Sequence, residues 1–86
     1  MKARKPMVAG NWKMNKSPAE AVEFVKALHP QVATYPSVAT VVCPSFVALP
    51  AVVEALQGVP VGVGAQNLHW AESGAFTGEV SGTMLE

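Results

Sequence analysis

Aspartate is absent from this 86-residue chain, and cysteine occurs once, as Cys43. A single thiol forms no intrachain disulfide. Cys43, His29 and His69 offer no metal-ligand spacing either, so neither a metal nor a disulfide framework is expected. No basic residue follows Lys26: Lys2, Arg4, Lys5, Lys13, Lys16 and Lys26 carry all the positive charge. Opposed only by Glu20 and Glu23, they leave the first 26 residues at net +4, and Glu54, Glu72, Glu79 and Glu86 leave the remainder at −4. A basic arm is one mark of nucleic-acid binders. Here the cations are few, dispersed and not interleaved with exposed aromatics, so nucleic acid is not an expected partner; a solvated N-terminus and a local anion site account for them better. No apolar run approaches the roughly 20 residues of a membrane span. The run behind Lys2, Arg4 and Lys5 ends at Gly10, too short for a secretory signal. Asn15-Lys16-Ser17 is a glycosylation sequon that matters only in a secreted protein. The expected setting is soluble, cytoplasmic and reducing, with no membrane partner.

What is present is a folding composition. Half the residues are hydrophobic and 14% are charged, which argues against disorder, and the length allows at most one small domain. Pro6–Gly10 reads as a strand with no polar alternation, as in a strand buried on both faces. Ser17-Pro18-Ala19-Glu20 has the residues of a capping box with proline at the first helical position. Ala21, Phe24, Val25, Leu28 and Val32 then share one helical face, and Pro30 and Tyr35-Pro36 are expected to bend or end that helix. Val38–Cys43 is a second, β-branched strand stopped by Pro44. Leu49, Val52, Val53 and Leu56 define a second helical face, followed by Gly58 as a stop. Pro60–Ala65 is a third strand, Gln66–Glu79 a long loop, and Ser81 a cap for a third helix. The expected elements are strands over about 6–11, 38–43 and 60–65 and helices over about 18–33 and 50–57, with a third beginning near 81. This alternation argues for a parallel sheet in a single α/β domain spanning 1–86, open or closed. Three parallel strands in 1-2-3 order have two bare edges, and the third helix has barely begun at Glu86, so the chain reads as unfinished.

The chemistry concentrates at Gly10-Asn11-Trp12-Lys13-Met14-Asn15. In extended backbone Asn11 and Lys13 face the same way, putting an amide beside an ammonium, a pair suited to a small, oxygen-rich anion. An isolated Asn-x-Lys is commonly no more than a solvated strand end. Here Trp12, pointing back into packing, fixes the register of its neighbours. Gly62-Val63-Gly64 has part of a dinucleotide fingerprint but lacks the third glycine and sits inside a strand; small residues making room are the better reading. His69 beside Trp70 reads as loop packing, His29 as a solvated residue near a helix end, and Cys43 as a core thiol. Gly74-Ala75-Phe76-Thr77-Gly78-Glu79 is a turn-rich loop tip with one exposed aromatic candidate, either incidental or a contact element.

Three motifs together resemble the triosephosphate isomerase family: Gly10–Asn15, Cys43-Pro44-Ser45, and Gly64-Ala65-Gln66-Asn67 followed by Gly74–Glu79. Their order and spacing agree along essentially the whole chain. The resemblance implies a (β/α)₈ barrel of which this chain supplies the first three βα units with the third helix cut short. It implies interconversion of dihydroxyacetone phosphate and glyceraldehyde 3-phosphate without a cofactor, in glycolysis and gluconeogenesis. By that resemblance Asn11 and Lys13 contact substrate, Lys13 stabilises negative charge, and Trp12 lies in the same segment, mainly through its backbone. Gln66 and Asn67 support the base of the site. Met14, Phe76, Thr77 and Glu79 belong to the interface of a homodimer, Thr77 approaching the partner's Asn11; Met14 departs from the Cys of many relatives. The family's Glu base, its His electrophile and its lid loop would lie beyond Glu86. The resemblance therefore implies that this chain alone is inactive. Two readings remain beside it: a standalone interaction module associating through 66–79, and a small phosphate-binding α/β domain.

Overall fold

A computed structural model describes residues 4–86; Lys2, counted above in the basic arm, lies outside the described residues. The elements in chain order are β1 (Met7–Asn11), α1 (Pro18–Val32), β2 (Ala39–Cys43), a 3₁₀ turn (Phe46–Ala48), α2 (Leu49–Ala55), β3 (Val61–Val63) and α3 (Gly82–Leu85). The strands form one parallel sheet in the order β1-β2-β3. Ala9 is opposite Val41 and Gly10 opposite Val42, and Val41 is opposite Gly62.

Alternation along the strands separates two faces. Val42 and Val61 point to the helices, where they pack with Ala21, Val25, Ala48, Val52 and Leu56 in one buried cluster. Met7, Ala9, Val41 and Gly62 point to the other side, which no helix covers. The expectation that β1 is buried on both faces is therefore corrected. Met7 is 65% and Val8 63% exposed, because one helical layer covers one face and β1 has a single paired neighbour.

The ends of α1 show how sequence sets local structure. Ser17 Oγ accepts from the Glu20 N–H at 3.4 Å, and Glu20 Oε1 accepts from the Ser17 N–H at 2.9 Å, so the capping box is complete. Pro30 does not end the helix. It lies inside the last turn, which closes through the Ala33 N–H donating to His29 O at 3.0 Å. Proline there forgoes one i→i−4 bond, which costs less near a terminus than in mid-helix. The second helical face also differs from expectation: Ala48, Val52 and Leu56 are buried, whereas Val53 is exposed. The 3₁₀ turn that precedes α2 rotates the buried stripe by bringing Ala48 into it.

Gly62 and Gly64 make room. A Cβ at Gly62 would stand 3.3 Å from Val41 Cγ2, and one at Gly64 3.4 Å from Cys43 Sγ. That contact, inside and just after β3, leaves the partial dinucleotide fingerprint no phosphate-binding turn. The segment from Gly64 to Val80 is irregular apart from a parallel bridge between His69 and Ser81.

Candidate functional site

The carboxyl ends of the three strands open on one cavity of about 550 Å³, lined by Asn11, Lys13, Met14, Ser45, Phe46, Gln66 and Asn67. Each βα loop contributes. Asn11 ends β1, Ser45 and Phe46 follow β2, and Gln66 and Asn67 follow β3.

Asn11 and Lys13 do share this cavity, but not through extended backbone. Lys13 adopts φ +56°. Its N–H donates to Asn11 Oδ1 at 3.0 Å, folding the loop back on the strand end. A lysine in the left-handed region costs on the order of 1–2 kcal/mol, so the surrounding bonds must hold it. Gln66 supplies two: its Nε2 donates to Lys13 O at 3.0 Å and to Cys43 O at 2.8 Å. One side chain from the third loop thus joins the ends of β1 and β2. The ladder also continues past β1, with the Trp12 N–H donating to Cys43 O at 3.2 Å. Asn15 Nδ2 donates to Trp12 O at 2.7 Å, closing the loop from the other side.

Trp12 lies outside the cavity lining. Its ring packs edge-on against Phe24, centroids 5.3 Å apart, on the helical side. Met14 is on the rim and 95% exposed. Ser45 and Phe46 also line the cavity; in the sequence Ser45 stood only within the Cys43-Pro44-Ser45 motif, with no site role, and Phe46 was not singled out. The signal was the break Pro44-Ser45 after β2: Ser45 takes the extended conformation of an N-cap, yet its hydroxyl makes no capping bond and stays available to the cavity.

The electrostatics are simple. Lys13 is the one charged group in the lining, and no carboxylate or imidazole reaches it. With its oxygen engaged by the Lys13 N–H, the Asn11 amide keeps its NH₂ donors for another partner. An ammonium, amide donors and a hydroxyl suit an anionic, oxygen-rich ligand; a fixed cation beside developing oxyanion charge is worth several kcal/mol. Proton abstraction would need a base that this lining does not contain. Among the described residues no group of three or more His, Cys or Glu is placed to hold a metal.

The long loop holds a separate cluster. His69 stacks on Trp70 with centroids 4.3 Å apart, and Phe76 tilts over it at 4.2 Å. His69 is thereby a packing residue and is not among those that line the cavity. Phe76, Thr77 and Glu79 are exposed on the same loop, and the Glu79 N–H donates to Phe76 O at 3.0 Å in a turn.

Parallel strands with helices between them, and an anion-competent cavity at their carboxyl ends, define an α/β protein with its candidate site where such folds carry their chemistry. The comparisons agree. The sequence model of the triosephosphate isomerase family matches residues 6–86, and the chain belongs to that family. It is 60% identical to the triosephosphate isomerase of Acetivibrio thermocellus over 83 residues, covering 96% of this chain and 33% of that protein. It is 52% identical to that of Solibacter usitatus, covering 95% and 33%. A crystal structure of triosephosphate isomerase from Bartonella henselae superposes with a TM-score of 0.83 at 29% identity, over 95% of this chain and 32% of that one. The sheet and helices thus correspond to the first three βα units of a (β/α)₈ barrel. The chain spans about a third of the length of the curated relatives it matches.

Proposed function

We propose that this chain forms the substrate-binding end of the first loops of a triosephosphate isomerase, interconverting dihydroxyacetone phosphate and glyceraldehyde 3-phosphate in cytoplasmic glycolysis and gluconeogenesis. The observation that carries this reading is the convergence of Asn11 and Lys13 on one cavity, with Gln66 tying the loops beneath them. Lys13 balances the charge of a phosphorylated triose and of the enediolate that forms from it. Asn11 donates to substrate oxygen, Trp12 contributes backbone, and Asn67 supports the floor of the site. Proton abstraction next to the carbonyl needs a general base, and the cavity lining offers none. In the working enzyme that base comes from residues outside this chain. Phe76, Thr77 and Glu79, together with Met14, form the contact with a second subunit, the exposed loop reaching the partner's first loop.

Purified residues 1–86 should bind 2-phosphoglycolate weakly, with amide shifts at Asn11, Lys13 and Ser45 that Lys13→Met abolishes, and should show no isomerase turnover. Shift changes confined to residues outside this cavity would overturn the assignment. Turnover above background would place a base where none is seen.

A further inference from the structure

The loop that carries Lys13 contains a second left-handed lysine. Lys16 adopts φ +72°, a conformation that glycine would take without strain. Its side chain turns away from the cavity. Lys16 Nζ stands 4.7 Å from the ring centroid of Phe24 and 6.0 Å from that of Trp12, within cation–π range of both. The two rings themselves meet edge-on, so Trp12, Lys16 and Phe24 form one contact group. Glu20 also attracts the Lys16 ammonium from the first turn of α1.

This group has a consequence for Lys13. Trp12 and Lys16 flank residues 13–15, and both are held on Phe24 of α1. The ends of the strained segment are thereby pinned to one side chain of a capped helix. On the cavity side Gln66 pins the middle through Lys13 O. We infer that Lys16 is a positioning residue for Lys13: its ammonium, held on the Phe24 and Trp12 rings, keeps the Lys13 backbone left-handed and its side chain in the cavity. The inference rests on the proposed substrate-binding role for its importance to function, but not for its geometry. It also explains why a lysine, rather than an unstrained glycine, occupies position 16.

The test uses the isotope-labelled 86-residue chain, first without ligand. In the wild-type chain the Lys16 ε-methylene protons should lie upfield of those of a solvated lysine, in the shielding region of Phe24. The Lys13 amide should show the strong intraresidue Hα cross-peak of a positive φ. Lys16→Met and Lys16→Gly should each weaken that cross-peak, and Lys16→Arg, whose guanidinium also stacks on rings, should retain it. Lys16→Gly discriminates: glycine relieves the strain at position 16, so a purely structural role leaves Lys13 unchanged. Methyl signals of Val25 and Val52, in the core, report whether each variant folds. Random-coil shifts for Lys16 in the wild-type chain, or an unchanged Lys13 cross-peak in folded Lys16→Met or Lys16→Gly, would overturn the proposal. A 2-phosphoglycolate titration then separates the two readings. If the clamp positions Lys13, Lys16→Met binds severalfold more weakly and Lys16→Arg restores binding. Absence of binding by the wild-type chain counts against the substrate site, while the ligand-free Lys13 signature still decides the clamp.

Discussion

Two residues in the third loop, Gly74 and Phe76, show how a single position sets local geometry. Gly74 has φ +142°, and a Cβ there would come within 2.8 Å of Phe76 Cε2 and 3.1 Å of Cδ2. The ring lies over His69, so making room for that Cβ means giving up this contact. Gly74→Ala is expected to displace Phe76 and cost about 1–3 kcal/mol of local stability through strained backbone. Loss of the Phe76 ring-current shift on the His69 protons, with faster amide exchange across 69–79, would register it. Gly82→Ala is the control, since nothing lies within 4 Å of a Cβ there; its stability should change by no more than about 0.5 kcal/mol. Asn11, Lys13 and Gly74 were all legible as residues of interest. The left-handed backbone of Lys13 was not, since lysine carries no sign of it; one of the bonds that hold it comes from Gln66, 53 positions away.

At the level of single elements, α1 is the best specified in sequence. Ser17, Pro18 and Glu20 are adjacent, so their bonds need no tertiary partner. The N–H of Ser17, then its hydroxyl, hold the Glu20 carboxyl below the usual glutamate range; slight burial opposes this and Lys16 assists it. A carboxyl lowered in the folded state contributes stability that is present above its unfolded pKa. That contribution is lost as pH falls through the folded value, below the ordinary glutamate pKa of about 4.3. The α1 signal should therefore weaken on acidification in this chain, and Glu20→Gln should flatten that part of the profile. Helical ellipticity followed from pH 6 downward would show it. Ser17→Ala removes the reciprocal bond at any pH and should cost about 1 kcal/mol. An acid profile identical in Glu20→Gln and the parent would refute the capping-box origin. The stripe on α2 was harder to read. Leu49, Val52, Val53 and Leu56 fit helical spacing, but the 3₁₀ turn at Phe46–Ala48 altered which residues face the core.

For the whole molecule the controlling fact is that one face and both edges of the sheet are unpaired among the described residues. Parallel sheets are normally covered on both faces. Here Met7, Ala9 and Val41 present apolar surface, and β1 offers an open ladder. Bare parallel edges template association. The isolated chain should self-associate with rising concentration and bind ANS. Met7→Lys, at a position 65% exposed on the uncovered face, should reduce the apparent mass by size exclusion while leaving thermal stability nearly unchanged. A monodisperse chain that excludes ANS at high concentration would show that the exposed face is covered in another way.

By itself the sequence determined the order of the elements, the capping of α1 and the presence of an amide and an ammonium at the end of the first strand. Those features depend on residues close in sequence, where propensity, turn chemistry and hydrophobic period act directly. Tertiary structure decided the rest: which face of each strand is covered, that Ser45 and Phe46 enter the cavity, and that Lys13 points there through a left-handed backbone. Each depends on groups distant in sequence meeting across parallel strands, and local pattern carries no record of those meetings.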